Sequence, residues 1–425
     1  SVMSVELISL VFLVLAIALG YFTRVNTGIL GIALAFVLGT FVAPFSVMTE
    51  NSAISGNEII GGFPTNTFVT LMGMTFLFSI AKANGTLETL AMKIVRLAGG
   101  RTRIIPFVFF AFSIVMSAVG AGPIVTPALM CPIACSVASK EDIPDIVVLV
   151  CVICGGLIGG TTPYGPTGVV ASSLIVGEAG LNYLPTLAAT AAVHLVQFAV
   201  LYVMVGGFKI KVSHSSASEV EAIPFTQNHY MTLAAIILVV LGTMILNYNV
   251  ALLAFLFGAI LLLLKAASQK DVIAGIPWGT LLLVGGMTVL IVVIRELGGI
   301  DMLSDFLAGF MTESTACSFL GLMAGILSAV SSASGVVMPT LIPTVIDLSK
   351  ELGGAIDPAA LAAAVVVGAE VVTVSPLSTI GALGYSAANE KTDKNKLFTT
   401  MLLCAGVSLA VLFVLGFLGV FNWFL

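Results

Sequence analysis

Two stretches of the chain, roughly 213 residues apart, carry nearly the same wording. Gly62-Phe63-Pro64 precedes Gly73-Met74-Thr75, and Gly275-Ile276-Pro277 precedes Gly286-Met287-Thr288 at the same spacing. Ser117-Ala118-Val119 leads to Pro127 and Pro132, as Ser328-Ala329-Val330 leads to Pro339 and Pro343. An apolar run interrupted at Thr162-Pro163 returns as one interrupted at Ser375-Pro376. Such a chain folds as two related halves, each holding a hydrophobic segment that cannot be one continuous helix.

The solvent for these halves is a bilayer. Apolar residues make up 59% and charged residues 9% of the 425, with a mean hydropathy of +1.17. Soluble domains carry about 25% charged residues. The pattern predicts an all-α polytopic fold with about ten spans, at 4–22, 27–48, 64–84, 144–178, 184–207, 228–248, 249–266, 276–296, 357–389 and 397–424. The first run has no basic flank and reads as a span, not a cleaved signal. Spans 144–178 and 357–389 are too long to be continuous and break near their middles. Stretches 104–139 and 317–349 each carry a central cluster of small and polar residues and read as re-entrant hairpins, tolerable at depth only when packed in protein or lining a cavity.

Five spans per half require halves of inverted topology. With both termini outside, all of the 16 Lys and Arg except Arg295 and Lys350 fall on the cytoplasmic side. This predicts a multi-pass protein of the cytoplasmic membrane. The first hairpin enters from the cytoplasm and the second from outside. Predicted boundaries are 1–103 and 228–313 for scaffold parts, 104–207 and 314–425 for parts carrying a hairpin and a broken helix, and 208–227 for a cytoplasmic linker. Segments 85–100 and 297–312 are amphipathic arms, with Leu87, Leu90, Ile94 and Leu97 on one face of the first.

Four interruptions converge if the halves pack about a pseudo-two-fold axis. They are the tips Gly120-Ala121-Gly122-Pro123 and Ser331-Ser332-Ala333-Ser334-Gly335, and the breaks at Thr162, Pro163 and Thr167 and at Pro376, Ser378 and Thr379. Each creates a helix N-terminus whose unpaired N–H groups hold anions, so no Lys or Arg is needed. Paired broken segments of this kind mark the binding site of a secondary transporter; the bland alternative is close helix packing by small residues. Two ionisable groups sit at membrane depth, which is costly without a use. Glu370 is a candidate for binding a coupling cation or a proton, or for bonding a helix end. His194, with Gln197 one turn on, reads as an interhelical hydrogen bond. The six cysteines all lie in apolar runs, and Cys151-x-x-Cys154 reads as packing inside a span. No H-E-x-x-H, paired intramembrane aspartates or G-x-x-x-x-G-K-[ST] occurs, so neither an intramembrane enzyme nor ATP-driven transport is expected.

These features resemble the ion transporter superfamily, specifically the divalent anion/sodium symporters. Gly62-Phe63-Pro64 through Asn84-Gly85-Thr86, and Ser375 through Leu383, are similar to the malonate/dicarboxylate carrier branch. The large membrane subunits of tripartite dicarboxylate systems are similar in architecture. The resemblance implies a homodimer with elevator-like motion that takes up a small carboxylate with Na⁺. Cation/proton antiport, oxyanion export or a subunit role in a tripartite system are the alternatives. Those symporters carry Ser-Asn-Thr at each tip, where this chain has Ala121-Gly122-Pro123 and Ala333-Ser334-Gly335. Implied Na⁺ ligands are therefore Ser117 with the backbone near Gly160, and Ser328 or Ser331 with the backbone near Thr373; Glu370 offers H⁺ coupling instead. No other cofactor and no nucleic-acid partner is expected.

Overall fold

The computed structural model describes residues 4–45, 53–96, 101–211 and 224–425. The middle of the expected linker, Leu97 and the side chain of Ile94 lie outside that description. Every regular element among the described residues is helical. The first half comprises α1 (Val5–Thr23), α2 (Thr27–Phe36, prolonged by a π turn to Val42), α3 (Gly56–Gly61), α4 (Thr65–Ala83) and the arm α5 (Thr86–Arg96). It continues with α6 (Ile105–Met116), α7 (Gly122–Lys140), α8 (Asp145–Gly160), α9 (Pro166–Ser172, prolonged by a π turn to Glu178) and α10 (Leu184–Met204). The second half repeats the order with α11 (Gln227–Leu246), α12 (Val250–Leu263), α13 (Gln269–Gly275), α14 (Trp278–Glu296) and the arm α15 (Gly299–Ala308). There follow α16 (Ala316–Val330), α17 (Met338–Leu341), α18 (Val345–Glu351), α19 (Pro358–Val371), α20 (Thr379–Ala387) and α21 (Lys394–Phe417).

Helix starts are fixed by side chains that satisfy N–H groups a bilayer would leave unpaired. Asn26, Asn249, Asp357 and Asp393 accept from the N–H groups of Gly28, Leu252, Ala359 and Asn395. Among the described residues six helical stretches are long and apolar enough to cross a membrane. One of them, Thr102–Lys140, is not a single crossing, because the chain turns back at its middle. Gly155 and Gly159 of α8 lie against Phe110 and Ile114, so α6 runs parallel to α8. Gly156 and Gly160 lie against Pro127 and Pro123, so α7 runs antiparallel to it. In the other half Gly321 and Gly325 of α16 abut Ala364 and Gly368 of α19, again parallel, and Ser349 of α18 bonds Ile356 just before α19 begins. Both hairpins are thus present, each opening where its neighbouring broken helix starts.

The halves exchange partners. Gly28 and Gly31 of α2 meet Leu282 and Gly286 of α14, while Gly73 of α4 meets Ala251 of α12. Gly62, just before α4, abuts Val292 near the end of α14, so these matched helices of the two halves also touch. Helix α20, which continues the second broken segment, runs antiparallel to α8 of the first: Gly384 faces Leu149 and Ile153, and Asn389 bonds Asp145. The halves are inverted. Arg295 and Glu178, which the charge pattern puts on one side, pair at 2.9 Å.

Candidate functional site

The break after α8 and the break after α19 are built alike. Thr162 and Ser375 hold matching places, and their carbonyls lie where a Cβ on Gly168 or Gly381 would stand. Ser117 Oγ donates to Gly156 O at 2.6 Å, and Ser328 Oγ donates to Ala369 O at 2.6 Å. Each bond ties the first arm of a hairpin to the last turn of the broken helix beside it. These two implied Na⁺ ligands therefore have a structural role already, with oxygen lone pairs left over. Removing either hydroxyl (Ser117→Ala or Ser328→Ala) should cost about 1 kcal/mol, read as a lower melting temperature of the solubilised protein. Ser331 Oγ donates to Leu327 O, and Thr373 Oγ1 to Glu370 O.

A cavity of about 330 Å³ lies where these elements meet α1, α2 and α14. From the first half it takes Pro123 and Thr167, at the starts of α7 and α9. The second half supplies Ser328, Ser331, Ser332, Ala333 and Ser334 of the tip, together with Glu370, Thr373, Ser378 and Thr379 of the break. Tyr21, Thr27, Thr280 and Leu283 close it from the scaffold side. Sequence reasoning passed over these four; a hydroxyl at the head of an apolar run, as in Thr27 and Thr280, is the signal that marks them. Gly120, Ala121, Gly122, Ser117, Gly160, Thr162, Gly335 and Pro376 do not line this cavity. Pro163 lines a larger one of about 890 Å³, with Pro64, Asn66, Thr70 and Tyr183.

The expectation that small residues at the first tip admit a ligand needs correction at two positions. Gly120 and Gly122 have φ of 125° and 73°, values other residues rarely adopt. A Cβ at Gly120 would stand 2.5 Å from the Phe78 ring, and one at Gly122 would stand 2.5 Å from the Pro166 ring. Backbone turning and protein packing account for these glycines.

At the second tip and second break, open donors remain. Ser332 and Ser378 cap their helices by accepting from the N–H groups of Gly335 and Gly381. The N–H groups of Ala333, Ser334, Thr379 and Ile380 have no acceptor among the described residues, and all four residues line the cavity. Glu370 is 1% exposed; its Oε2 has no partner, and Thr167 of the other half lines the same cavity. Among the described residues no Lys or Arg lines the cavity. The arrangement offers an anion backbone dipoles and hydroxyls on one side and a single carboxyl group on another.

His194 does not make the expected interhelical bond. Its Nδ1 pairs with Gln197 Oε1 of the same helix at 2.6 Å, and its Nε2 is unpartnered. Gln197 makes the crossing instead, donating to Val371 O and to Ser408 Oγ. Near the other end of α10, Tyr183 Oη donates to Thr161 O at 2.6 Å. One helix thus donates a side-chain hydrogen bond to a carbonyl beside each break. All six cysteines are buried and free.

Inverted halves, interrupted spans and a polar cavity between them make a polytopic helical fold, and comparison with known proteins supports a membrane transporter. Residues 3–160 match the family described as dicarboxylate carrier protein MatC N-terminus, in agreement with the resemblance drawn from the sequence. The fold is similar to that of the YdaH transporter of Alcanivorax borkumensis, with a TM-score of 0.60 at 15% identity over 99% of each chain. It is also similar to MtrF of Neisseria gonorrhoeae, described within a class of antimetabolite efflux pumps, with a TM-score of 0.58 at 13% identity over 98% of this chain and 95% of that one. No curated protein matches the chain by sequence.

Proposed function

We propose that the protein is a secondary-active, cation-coupled carrier that brings a small carboxylate, preferentially a dicarboxylate, across the cytoplasmic membrane. The observation that carries this reading is the set of four open N–H donors on a cavity with no cationic side chain among the described residues. Such a site selects an anion by backbone dipoles, and the family match over residues 3–160 supports a dicarboxylate as that anion. The cavity lies between the hairpin-bearing parts (104–207 and 314–425) and helices of the scaffold parts, the contact an elevator motion of one body past the other would open and close. A homodimer joined through the scaffold would hold one body still in the membrane, with both termini outside. Coupling is by Na⁺ at the hydroxyl and carbonyl groups near Ser117 and Ser328, or by H⁺ at Glu370.

Uptake of labelled malonate or succinate into proteoliposomes tests the reading. An inward Na⁺ or pH gradient should drive accumulation above that of liposomes without protein. Accumulation that survives dissipation of the pH gradient, and remains in Glu370→Gln, assigns coupling to Na⁺. Absence of dicarboxylate accumulation under every gradient would remove the carrier reading. The fold shared with MtrF favours one second reading, export of an anion; preloaded vesicles that lose label on imposing an opposite gradient would support it.

A further inference from the structure

We propose that the larger cavity, of about 890 Å³, is a second anion site, which holds a small carboxylate at the N-terminal turn of α4. The inference rests on the carboxylate-carrier reading and adds to it a station before or after the smaller cavity. The two cavities are built on matched parts of the repeat. The smaller takes Thr27 and Thr280, at the starts of the crossing helices α2 and α14, beside the break after α19. The larger takes Val250 and Thr67, at the starts of the crossing helices α12 and α4, with Pro163 of the break after α8. Thr67 and Thr280 are separated by the repeat offset, as are Thr70 and Leu283, each on the wall of its own cavity. In inverted halves matched cavities face opposite sides of the membrane, and the charge pattern puts Glu178 of the larger one outside.

The start of α4 leaves donors open there. Pro64 precedes the helix and supplies no side-chain cap. The N–H of Thr65 turns back to Phe63 O and that of Phe68 reaches Pro64 O, so the N–H groups of Asn66 and Thr67 have no acceptor among the described residues. In α14, by contrast, Pro277 O takes the N–H groups of both Thr280 and Leu281. Thr67 is 7% exposed and lines the cavity, yet its hydroxyl bonds no described residue. A buried hydroxyl ordinarily finds a partner, as Thr75 of the same helix does with Leu71 O one turn back. Two N–H groups and one hydroxyl are thus held at the positive end of a 19-residue helix, the chemistry that receives a carboxylate. The carboxylate already on this wall, Glu178, is met by Arg295 at 2.9 Å and leaves these donors to an incoming anion.

Equilibrium binding of labelled succinate to the solubilised full-length chain decides the matter. The wild type should bind two per chain, and Ser334→Phe, which fills the smaller cavity, should keep one. Asn66→Asp should also keep one, because its own carboxylate occupies the open N–H groups of α4. An acid in the first turn stabilises a helix, so this variant retains its fold. The double variant should bind none. Thr67→Val, which removes only the hydroxyl, should weaken the site left in Ser334→Phe about tenfold. One succinate per wild-type chain, none on Ser334→Phe, or residual binding that neither Asn66→Asp nor Thr67→Val alters overturns the proposal and leaves the carrier reading standing. Failure of succinate and malonate alike to bind the wild type overturns both.

Discussion

Replacing Ser334 by phenylalanine should abolish dicarboxylate uptake while the solubilised protein keeps its melting temperature within a few degrees. Ser334 is half-buried on the cavity wall, its hydroxyl bonds no described residue, and its N–H is one of the open donors. A ring there fills the space in which a carboxylate would reach those donors, and nothing in the packed body has to move. The expected loss of apparent affinity exceeds about tenfold, or about 1.4 kcal/mol. Gly122→Leu is the contrasting experiment. Its side chain must enter the Pro166 ring from a backbone with φ of 73°, so yield and melting temperature should fall together with uptake. Wild-type uptake by Ser334→Phe would place the substrate elsewhere, and the larger cavity lined by Pro163 and Tyr183 would be the next place to look.

The second large effect is expected at the crossing of α2 and α14. A Cβ on Gly286 would stand 1.9 Å from the carbonyl oxygen of Gly28, and one on Gly28 would stand 2.0 Å from that of Leu282. These obstacles are backbone atoms, which cannot rotate away. Gly286→Ala should therefore cost more than the about 1–3 kcal/mol of ordinary overpacking, with most of the protein lost from the folded fraction on solubilisation. Gly406→Ala, where the added Cβ meets nothing within 4 Å, is the control and should behave as wild type. Equal melting temperatures for the two variants would mean that the helices do not cross at backbone contact.

The frame was legible because bilayers restrict the backbone so severely. Repeated Gly-x-Pro and Ser-Ala-Val wording, runs too long for one span and proline at fixed offsets led to two halves, two hairpins and two breaks, since unpaired peptide groups at depth exclude most other arrangements. Side-chain roles were less accessible. Glycine at the first tip has the same sequence signature whether a ligand or Pro166 approaches it, and only the neighbour's position separates the two. His194 and Gln197 share a face of one helix, so sequence alone could not say which of them reaches Val371. The scaffold residues Tyr21 and Thr280 come from runs with no interruption to draw attention to them. Glu370 stood out through its cost, but its meeting with Thr167 on one cavity wall joins two halves roughly 200 residues apart and has no local signal.

The reach of α10 has a consequence for how the molecule holds together. Through Tyr183 it satisfies a carbonyl in its own half, and through Gln197 it satisfies one in the other. Severed at the linker and made alone, the second half would lose the Gln197 donor to Val371 O and Ser408 Oγ, and α14 and α12 would lose α2 and α4, which they cross at backbone contact. A lost side-chain hydrogen bond of that kind costs about 0.5–1.5 kcal/mol, on top of the lost packing. The two halves, alike in plan, are therefore not two autonomous folding units, and the molecule should melt in one cooperative transition in which neither copy outlasts the other.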